Sequence, residues 1–285
     1  MTQSSEARRL RVLINIPILN EIAIIARLVK QVTSAVEGYD YVLLIVDDGS
    51  NDGTLEYLKG IIPQSGGRIA LLPRKKMYQG CQRGAALLAG LNWGLSHGPF
   101  DIFVEMDGDL SHLPEELPRG LEAIAENRGD VAVASKYIPG SEVSGRSFGR
   151  TLISVVCNVA VRSVIRWGIR DFSNGYRFYN ARAASVVPQY RIRYGSPIYL
   201  TEVMAIWLAN GMRVIEIPGH YVGRNEGWSK VRLIDYVKAC IGVMEIGLRY
   251  RCTGFQKITL AEPELTPLPV TSLASSTHAP EKQDG

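Results

Sequence analysis

The sequence predicts an α/β protein in which a mostly parallel sheet carries helices on both faces within a single domain. From residue 11 onward, short apolar runs alternate with amphipathic stretches, which is the rhythm of repeated strand and helix units. The 285 residues are 46% apolar and 21% charged, the composition of a soluble globular chain with one sizeable core.

Six short apolar runs are predicted to form the strands. In chain order they cover residues 12–16, 41–46, 69–72, 102–106, 131–134 and 212–217. Because helix-like stretches separate most of these runs, the strands are expected to be connected by crossovers and to run parallel.

The stretches between and after these strands are predicted to be helices, over residues 21–36, 54–58, 82–95, 114–126, 151–167, 198–209 and 233–248. The last of them carries Ile, Val and Met on one face. Such a face usually packs on protein, either the core or a second copy of the chain in a homo-oligomer. Contact with a membrane is the alternative.

Composition divides the chain further. We expect a flexible N-terminus over residues 1–10, a main domain over 11–232, an amphipathic C-terminal helix over 233–255 and a disordered tail over 256–285. The tail holds four of the fourteen prolines and has no apolar periodicity. Residues 141–150 are rich in Gly and Ser and are predicted to form a mobile loop.

The charge of the chain indicates the class of partner. The net charge is +4, and the tail holds two lysines against four acids, so the remainder carries 4 − (−2) = +6. This excess suits an anionic small molecule or an anionic membrane surface and is too small to indicate nucleic acid.

The sequence also indicates where in the cell the protein is expected. No apolar stretch approaches the ~20 uninterrupted residues of a membrane span, and residues 1–11 lack the apolar core of a signal peptide. We therefore expect a cytoplasmic protein, with peripheral contact at the cytoplasmic membrane face left open. The four cysteines have no CxxC spacing and are expected to be reduced thiols.

Acidic residues follow three of the predicted strands, in residues 17–21, 46–54 and 106–109. The ends of parallel strands are where ligands bind in such sheets, and carboxylates gathered there need a compensating cation. Asp107 and Asp109 form a DxD motif whose oxygens suit Mg²⁺ or Mn²⁺. An isolated DxD also occurs in ordinary turns, but here Asp47 and Asp48 follow another strand of the same sheet, which favours a metal site.

Two nearby features have alternative interpretations. Arg74, Lys75 and Lys76 precede a glycine-containing helix start and are either a phosphate cradle or a solvated basic loop. His112 follows the DxD motif, and hydrogen bonding within its own loop is favoured over a role as metal ligand or acid.

Several motifs together resemble a known family. They are residues 17–21, VDDGSNDGT at 46–54, MDGDLSH at 106–112, ASKYIPG at 134–140, RDFSNGYRFY at 170–179, residues 212–218 and RNEGWSK at 224–230. In this order they resemble the family 2 glycosyltransferases of the dolichol- or polyprenol-phosphate mannose synthase type. The resemblance implies a GT-A (Rossmann-like) fold over residues 11–232, a nucleotide-sugar donor, a divalent metal and inversion at the anomeric carbon.

The resemblance also implies a donor site. Its residues here are Pro17, Leu19, Glu21, Val46, Asp48, Asp107, Gly108, Asp109, Lys136, Arg224 and Lys230, with Ser111 added to Asp107 and Asp109 at the metal. The first loop and Asp48 would hold the nucleoside, while Lys136, Arg224 and Lys230 would face phosphate. Cations there would stabilise the charge of the departing diphosphate.

Three positions depart from the family pattern. Leu19 stands where the family usually has Tyr, Ser111 where it has Gln and Lys136 where it has Arg. Exchanging Arg for Lys replaces a bidentate fork by a point charge. These departures affect the identity of the donor and acceptor more than the type of chemistry.

The expected reaction moves a sugar, with mannose favoured, from a nucleotide sugar, with GDP-mannose favoured, to polyprenyl phosphate. The basic, apolar segment 146–170 would then lie at a membrane surface. The alternatives are a soluble hydroxyl acceptor, or a nucleotide-binding protein without turnover. Glu202 is the candidate general base; a hydroxyl acceptor needs such a base, whereas an ionised phosphate does not. The predicted catalytic set is therefore Asp109, Glu202, Arg224 and Lys230.

Overall fold

The computed structural model describes residues 9–75, 82–145, 148–223 and 233–258. Seven strands form the main sheet in the order β3-β2-β1-β4-β7-β5-β8. In chain order they are β1 (Arg11–Ile18), β2 (Asp40–Asp47), β3 (Ile69–Pro73), β4 (Ile102–Glu105), β5 (Val131–Ser135), β7 (Arg177–Asn180) and β8 (Val214–Pro218). Six of these strands run parallel, and β7 lies antiparallel between β4 and β5.

The described helices are α1 (Ile25–Ala35), α2 (Thr54–Ile61), α3 (Arg83–His97), α4 (Leu117–Ala125), α5 (Phe148–Val164), α6 (Ala181–Val186), α7 (Tyr199–Ala209) and α8 (Leu233–Leu248). Successive strand residues face opposite sides of a sheet. In β1, Leu13 therefore packs with α3 and α7 residues on one face, while Ile14 packs with α1 and α4 residues on the other. This confirms the predicted sheet with helices on both faces.

All six predicted strands are present, and each predicted strand end lies within two residues of the observed one. The seventh strand, β7, was not predicted from the pattern. It has only four residues, RFYN, and its Arg177 is a charged residue at a fully buried position. Arg177 interrupts the apolar pattern by which a buried strand is predicted. Its guanidinium donates to the carbonyl oxygens of Phe172, Asn174 and Leu200, so its buried hydrogen-bond donors have backbone acceptors.

Two predicted loops contain more structure than expected. Within the predicted mobile loop 141–150, β6 (Glu142–Ser144) pairs in parallel with β9 (His220–Val222), and α5 begins at Phe148. Residues 256–258, which the prediction assigns to the tail, are hydrogen bonded: the carbonyl of Gln256 accepts from the Arg191 amide (2.9 Å), and the Ile258 amide donates to the Gln189 carbonyl (2.8 Å). Residues 1–8 and 259–285 lie outside the described residues, and the boundary at residue 232 stays a prediction.

The C-terminal helix α8 packs against α5 and α7. Ile246 is fully buried, and a side chain at Gly247 would come within 2.8 Å of Val164 in α5. Core packing, the favoured interpretation of its apolar face, is therefore correct for one side of this helix. Among the described residues, no helix has the length and apolar content required to cross a membrane.

Two glycines in helices offer a matched test of how tightly this fold is packed. A Cβ at Gly120 in α4 would overlap the ring of Phe178 in β7, whereas a Cβ at Gly60 in α2 would meet nothing within 4 Å. We expect Gly120→Ala to lower the free energy of unfolding by about 1–3 kcal/mol through overpacking. Gly60→Ala should raise it by about 0.4–1 kcal/mol by restricting the unfolded chain. Urea unfolding of both variants measures this, and equal effects would contradict the packing described for β7.

Candidate active site

The strand ends predicted to bind a ligand lie side by side at one edge of the sheet. Strand β1 is central to this edge, since it pairs with β2 on one side and β4 on the other. Pro17 is in register with Val46, and the Asp48 amide donates to the Ile18 carbonyl (3.0 Å). The first loop, the Asp47–Asp48 loop and the DxD turn after β4 are therefore adjacent, as the sequence predicted.

Gly108, in the middle of the DxD motif, fixes how closely this turn approaches β1. A Cβ at this position would lie 2.7 Å from Cγ2 of Ile18 and 2.9 Å from the carbonyl oxygen of Pro17. Only glycine fits there without a shift of the backbone. Pro17 and Gly108, both predicted to be donor-site residues, are thus in direct contact.

Hydrogen bonds between two loops shape the predicted nucleoside side of the site. The amides of Asn20, Glu21 and Ile22 donate to the side chains of Ser50 (2.9 Å), Thr54 (3.0 Å) and Asp52 (3.0 Å). This holds Glu21 in place. Leu19, the residue that stands where the family has Tyr, is 36% exposed at the tip of the first loop.

Asp48 lies on the same side and is already paired with a cation. Its Oδ1 is 2.5 Å from Nη1 of Arg74, and the Arg74 amide donates to the Asp47 carbonyl (2.7 Å). Arg74 is therefore not a solvated residue, because it compensates the charge of Asp48. Lys75 is exposed, and Lys76 lies outside the described residues, so the phosphate cradle stays a prediction.

The DxD turn is held by its own polar groups. The Ser111 amide donates to Oδ1 of Asp109 (3.0 Å), and Leu110 adopts a left-handed backbone conformation (φ 57°). Ser111 is buried, and its Oγ has no hydrogen-bond partner among the described residues. Two carboxylates with a nearby buried hydroxyl are an oxygen donor set that fits Mg²⁺ or Mn²⁺, which complete their shell with water or phosphate oxygens.

Nothing in the described ranges brings three or more His, Cys, Asp or Glu side chains together as a metal cluster. A divalent ion at the DxD turn would therefore depend on ligand oxygens beyond the two carboxylates. Water or the oxygens of a diphosphate can complete its coordination shell.

Arg83 is the residue that sequence reasoning missed. It is the first residue of α3, and its guanidinium forms an ion pair with Oδ1 of Asp107. An arginine at the start of a predicted helix is usually a surface residue, and no motif marked this one. Its position at the DxD turn follows from the three-dimensional placement of α3.

His112 is a buried residue that binds the backbone of the DxD turn. It is 2% exposed, its Nδ1 accepts the Asp107 amide (3.1 Å), and its ring stacks on Tyr176 with centroids 5.0 Å apart. Burial lowers the pKa of His112, and the charge of Asp107 opposes that shift. The interpretation of His112 as a hydrogen-bonding residue of its own loop is confirmed.

Lys136, predicted to face phosphate, lies in a largely buried pair. Its Nζ is 3.7 Å from Oδ2 of Asp171 and 5.3 Å from the centre of the Tyr221 ring. Burial by itself raises the pKa of Asp171, but Lys136 and the hydrogen bonds from the amides of Lys136 and Ser173 outweigh burial and hold that pKa below its ordinary value. Lys136 therefore lies beside β9, the strand that contains Tyr221.

Strand β9 connects the DxD turn to the predicted phosphate-binding segment. The Val222 amide donates to the Ser111 carbonyl (3.0 Å), and the Gly223 amide donates to the Ser144 carbonyl (2.7 Å). Arg224 and Lys230 themselves lie outside the described residues. The last described residues before that segment, Val222 and Gly223, thus lie next to Ser111 and Ser144.

Glu202, the predicted general base, has a different environment from the one expected. Its side chain is fully buried, and its oxygens accept the amides of Arg193 (3.0 Å) and Tyr194 (3.0 Å) and the guanidinium of Arg249 (2.7 Å). A carboxylate with these partners and no exposure is not positioned to take a proton from an acceptor. The role of Glu202 as a base is therefore corrected: it anchors the end of α8 to α7.

The family model described as glycosyl transferase family 2 matches residues 14–187 of this chain. The chain is 33% identical to the polyprenol monophosphomannose synthase of Mycolicibacterium smegmatis, over 85% of this chain and 88% of that protein. It is 32% identical to the undecaprenyl-phosphate mannosyltransferase of Micrococcus luteus, over 87% and 98% of the two chains.

Solved structures support the fold. The glucosyl-3-phosphoglycerate synthase of Mycobacterium tuberculosis, in complex with Mn²⁺ and uridine-diphosphate-glucose, is similar with a TM-score of 0.55 at 15% sequence identity. The match covers 85% of this chain and 79% of that chain. At this identity the likeness establishes the shared architecture.

The Glu202–Arg249 pair gives a testable prediction about stability. Replacing Arg249 with Met leaves a fully buried carboxylate without its cation, which should cost about 3–5 kcal/mol of unfolding free energy. Arg193→Met is the matched control, because Arg193 pairs with Glu245 at an exposed position in the same cluster. It should cost less than about 1 kcal/mol. Chemical denaturation of both variants measures the difference, and similar values would argue against Glu202 as the anchor of α8.

Proposed function

This chain belongs to glycosyl transferase family 2, and on that premise we propose that it transfers mannose from GDP-mannose to polyprenyl phosphate with inversion at the anomeric carbon. The observation that carries the proposal is the match, along most of both chains, to relatives named polyprenol monophosphomannose synthase and undecaprenyl-phosphate mannosyltransferase. The adjacent acidic loops at the edge of the sheet support a donor site of the kind that these enzymes require. Family membership also favours an enzyme over a binding protein without turnover.

In this proposal Asp107 and Asp109, with Ser111 close by, hold Mg²⁺ or Mn²⁺. When bound, the ion supplies positive charge to the diphosphate oxygens of the donor and of the departing nucleotide. The structures of a fold relative in complex with Mn²⁺ and a nucleotide sugar support an ion of this class. The partly exposed side chain of Asp107 and the buried hydroxyl of Ser111 fit that use.

The protein's own groups would bind and orient the donor. We assign the nucleoside to the loop of Pro17, Leu19 and Glu21 together with Val46 and Asp48. Lys136, Arg224 and Lys230 would face the diphosphate and stabilise its developing charge. Lys136 is preorganised for this by Asp171 and Tyr221, so that little reorganisation is needed during transfer.

The environment of Glu202 supports a phosphate acceptor over a hydroxyl. A hydroxyl must lose its proton as it attacks, whereas a lipid phosphate is already ionised near neutral pH. Since Glu202 is committed to Arg249 and two backbone amides, it is not available for that proton. A phosphate nucleophile removes the need for a base at this position.

A lipid acceptor requires the enzyme to reach a membrane surface, and two neighbouring helices are suited to this. Their exposed apolar side chains are Val155, Val156 and Val159 in α5 and Ile241, Met244 and Leu248 in α8. Trp167, just after α5, is 60% exposed, and Arg166 beside it is also exposed. Apolar side chains flanked by Arg and Trp are typical of surfaces that lie at the membrane interface. We therefore propose a peripheral membrane enzyme.

The acceptor is tested with two lipids that differ in one group. With GDP-mannose and Mn²⁺, we expect transfer to undecaprenyl phosphate and none to undecaprenol, which ends in a hydroxyl. Glu202→Gln, assayed at a temperature where it is folded, should retain activity within about tenfold, since loss of a general base typically costs ~10² to 10⁴. Transfer to undecaprenol, together with loss of nearly all activity in Glu202→Gln, would overturn the phosphate acceptor.

The metal is tested in the same assay. Asp109→Ala should abolish transfer, and full activity in excess EDTA would overturn the metal.

Membrane contact is tested by cosedimentation with liposomes that contain anionic phospholipid. The wild-type protein should bind at low salt and be released as salt screens the arginines. Val156→Glu combined with Met244→Glu should weaken binding by at least about tenfold, because two apolar side chains no longer insert. Leu10→Glu is the control, since Leu10 is also exposed but lies just before β1, at the opposite end of that strand from the site. Equal binding of all three proteins would refute membrane contact through the α5–α8 surface, which is formed by the exposed apolar residues of these two helices.

A further inference from the structure

Asp107, one carboxylate of the proposed metal site, is paired with a positively charged side chain of the same protein, Arg83. The guanidinium of Arg83 contacts Oδ1 of Asp107, and the two side chains are only 23% and 17% exposed. A charge pair that is partly shielded from water interacts more strongly than one on the open surface. Any divalent ion that binds Asp107 therefore meets an arginine at the same oxygen.

The backbone around Arg83 is built to accommodate it. A Cβ at Gly175, in the RDFSNGYRFY motif, would overlap Nη2 of Arg83, so the absence of a side chain there makes room for the guanidinium. The start of α3 is also fixed in position. A Cβ at Gly84 would lie 2.6 Å from the Ser196 carbonyl oxygen, and the Ala85 amide donates to Gly195 (3.0 Å). Arg83 is thus held at the DxD turn by close packing.

The remaining contacts of the guanidinium are few. Its Nη2 is the atom that contacts Oδ1 of Asp107, and its buried Nε has no hydrogen-bond partner in the part of the chain that the structure describes. By contrast, Arg177 donates to three carbonyl oxygens. Arg83 is therefore held mainly by the charge of Asp107, and its Nε lacks an acceptor, which an oxygen of an anionic ligand would supply once the guanidinium moves.

We propose that Arg83 is a built-in counter-cation of the metal site, which neutralises Asp107 in the metal-free enzyme and competes with the divalent ion for the same carboxylate. The inference rests on the proposed metal site at Asp107 and Asp109. Two cations cannot share one carboxylate oxygen without repulsion, so the ion displaces the guanidinium from Asp107. The freed guanidinium then faces the anionic diphosphate, which makes binding of the metal and of the nucleotide mutually favourable.

The competition is measured by titrating Mn²⁺ against the full-length protein without nucleotide and following free Mn²⁺ by electron paramagnetic resonance. Arg83→Met should bind Mn²⁺ about fivefold more tightly than wild type, the equivalent of about 1 kcal/mol for a lost ion pair. Arg83→Lys keeps the positive charge and should remain within about twofold of wild type. Thermal unfolding of each variant establishes that it is folded.

Two further variants separate this proposal from its alternatives. Arg74→Met removes the matching arginine at Asp48 and should change Mn²⁺ affinity by less than about twofold, because that pair does not involve a metal ligand. A similar gain in Arg74→Met and Arg83→Met, or no gain in Arg83→Met, would overturn the competition at Asp107. Asp109→Ala should abolish the bound fraction. If it leaves Mn²⁺ binding intact, the ion lies elsewhere and the proposed metal site itself fails.

Discussion

The parallel pairing of β1 with β2 on one side and β4 on the other is the constraint on which the site depends. It places three acidic strand ends at one edge of the sheet. Without compensating cations, their negative charges would repel one another there. Gly108 tightens the arrangement further, since its contact with Ile18 and Pro17 leaves no space for a side chain. The same geometry that creates a ligand site therefore also creates an electrostatic cost that the rest of the molecule has to offset.

The fold offsets part of that cost with a cation beside each of two aspartates, since Asp48 pairs with Arg74 and Asp107 with Arg83. A third pair, Asp171 with Lys136, lies nearby beside β9. The three cations differ in how firmly they are held: Lys136 is the most buried, whereas Arg83 has a buried Nε without a hydrogen-bond partner among the described residues. In a site for an anionic diphosphate such cations have two uses, because they balance the carboxylates before the ligand binds and face its oxygens afterwards.

The sequence predicted the sheet, the acidic edge and the family, because each of these depends on local patterns of apolar runs and on motifs with fixed spacing. It could not predict features set by contacts between distant segments. Strand β7 was hidden by Arg177, whose burial is tolerated only because three carbonyl oxygens surround it. Arg83 was overlooked and Glu202 was given the wrong role for the same reason: a charged residue on a helix looks exposed until the partners of that helix are known. For Glu202, the partner Arg249 lies 47 residues away in the chain.

Helix α7 links the two surfaces that the proposed reaction needs. At its first turn Tyr199 packs against Gly84, next to Arg83, and its hydroxyl donates to Glu105 (3.4 Å), two residues before Asp107. One turn later, Glu202 binds Arg249, which follows α8, and α8 carries the exposed apolar residues Met244 and Leu248. Because α7 is almost entirely buried against the sheet, it fixes the start of α3 and the end of α8 relative to the same core. The distance between the DxD turn and the α5–α8 surface is then set by a buried helix, so that in the proposed reaction an acceptor presented from a membrane would meet the donor site at a defined position.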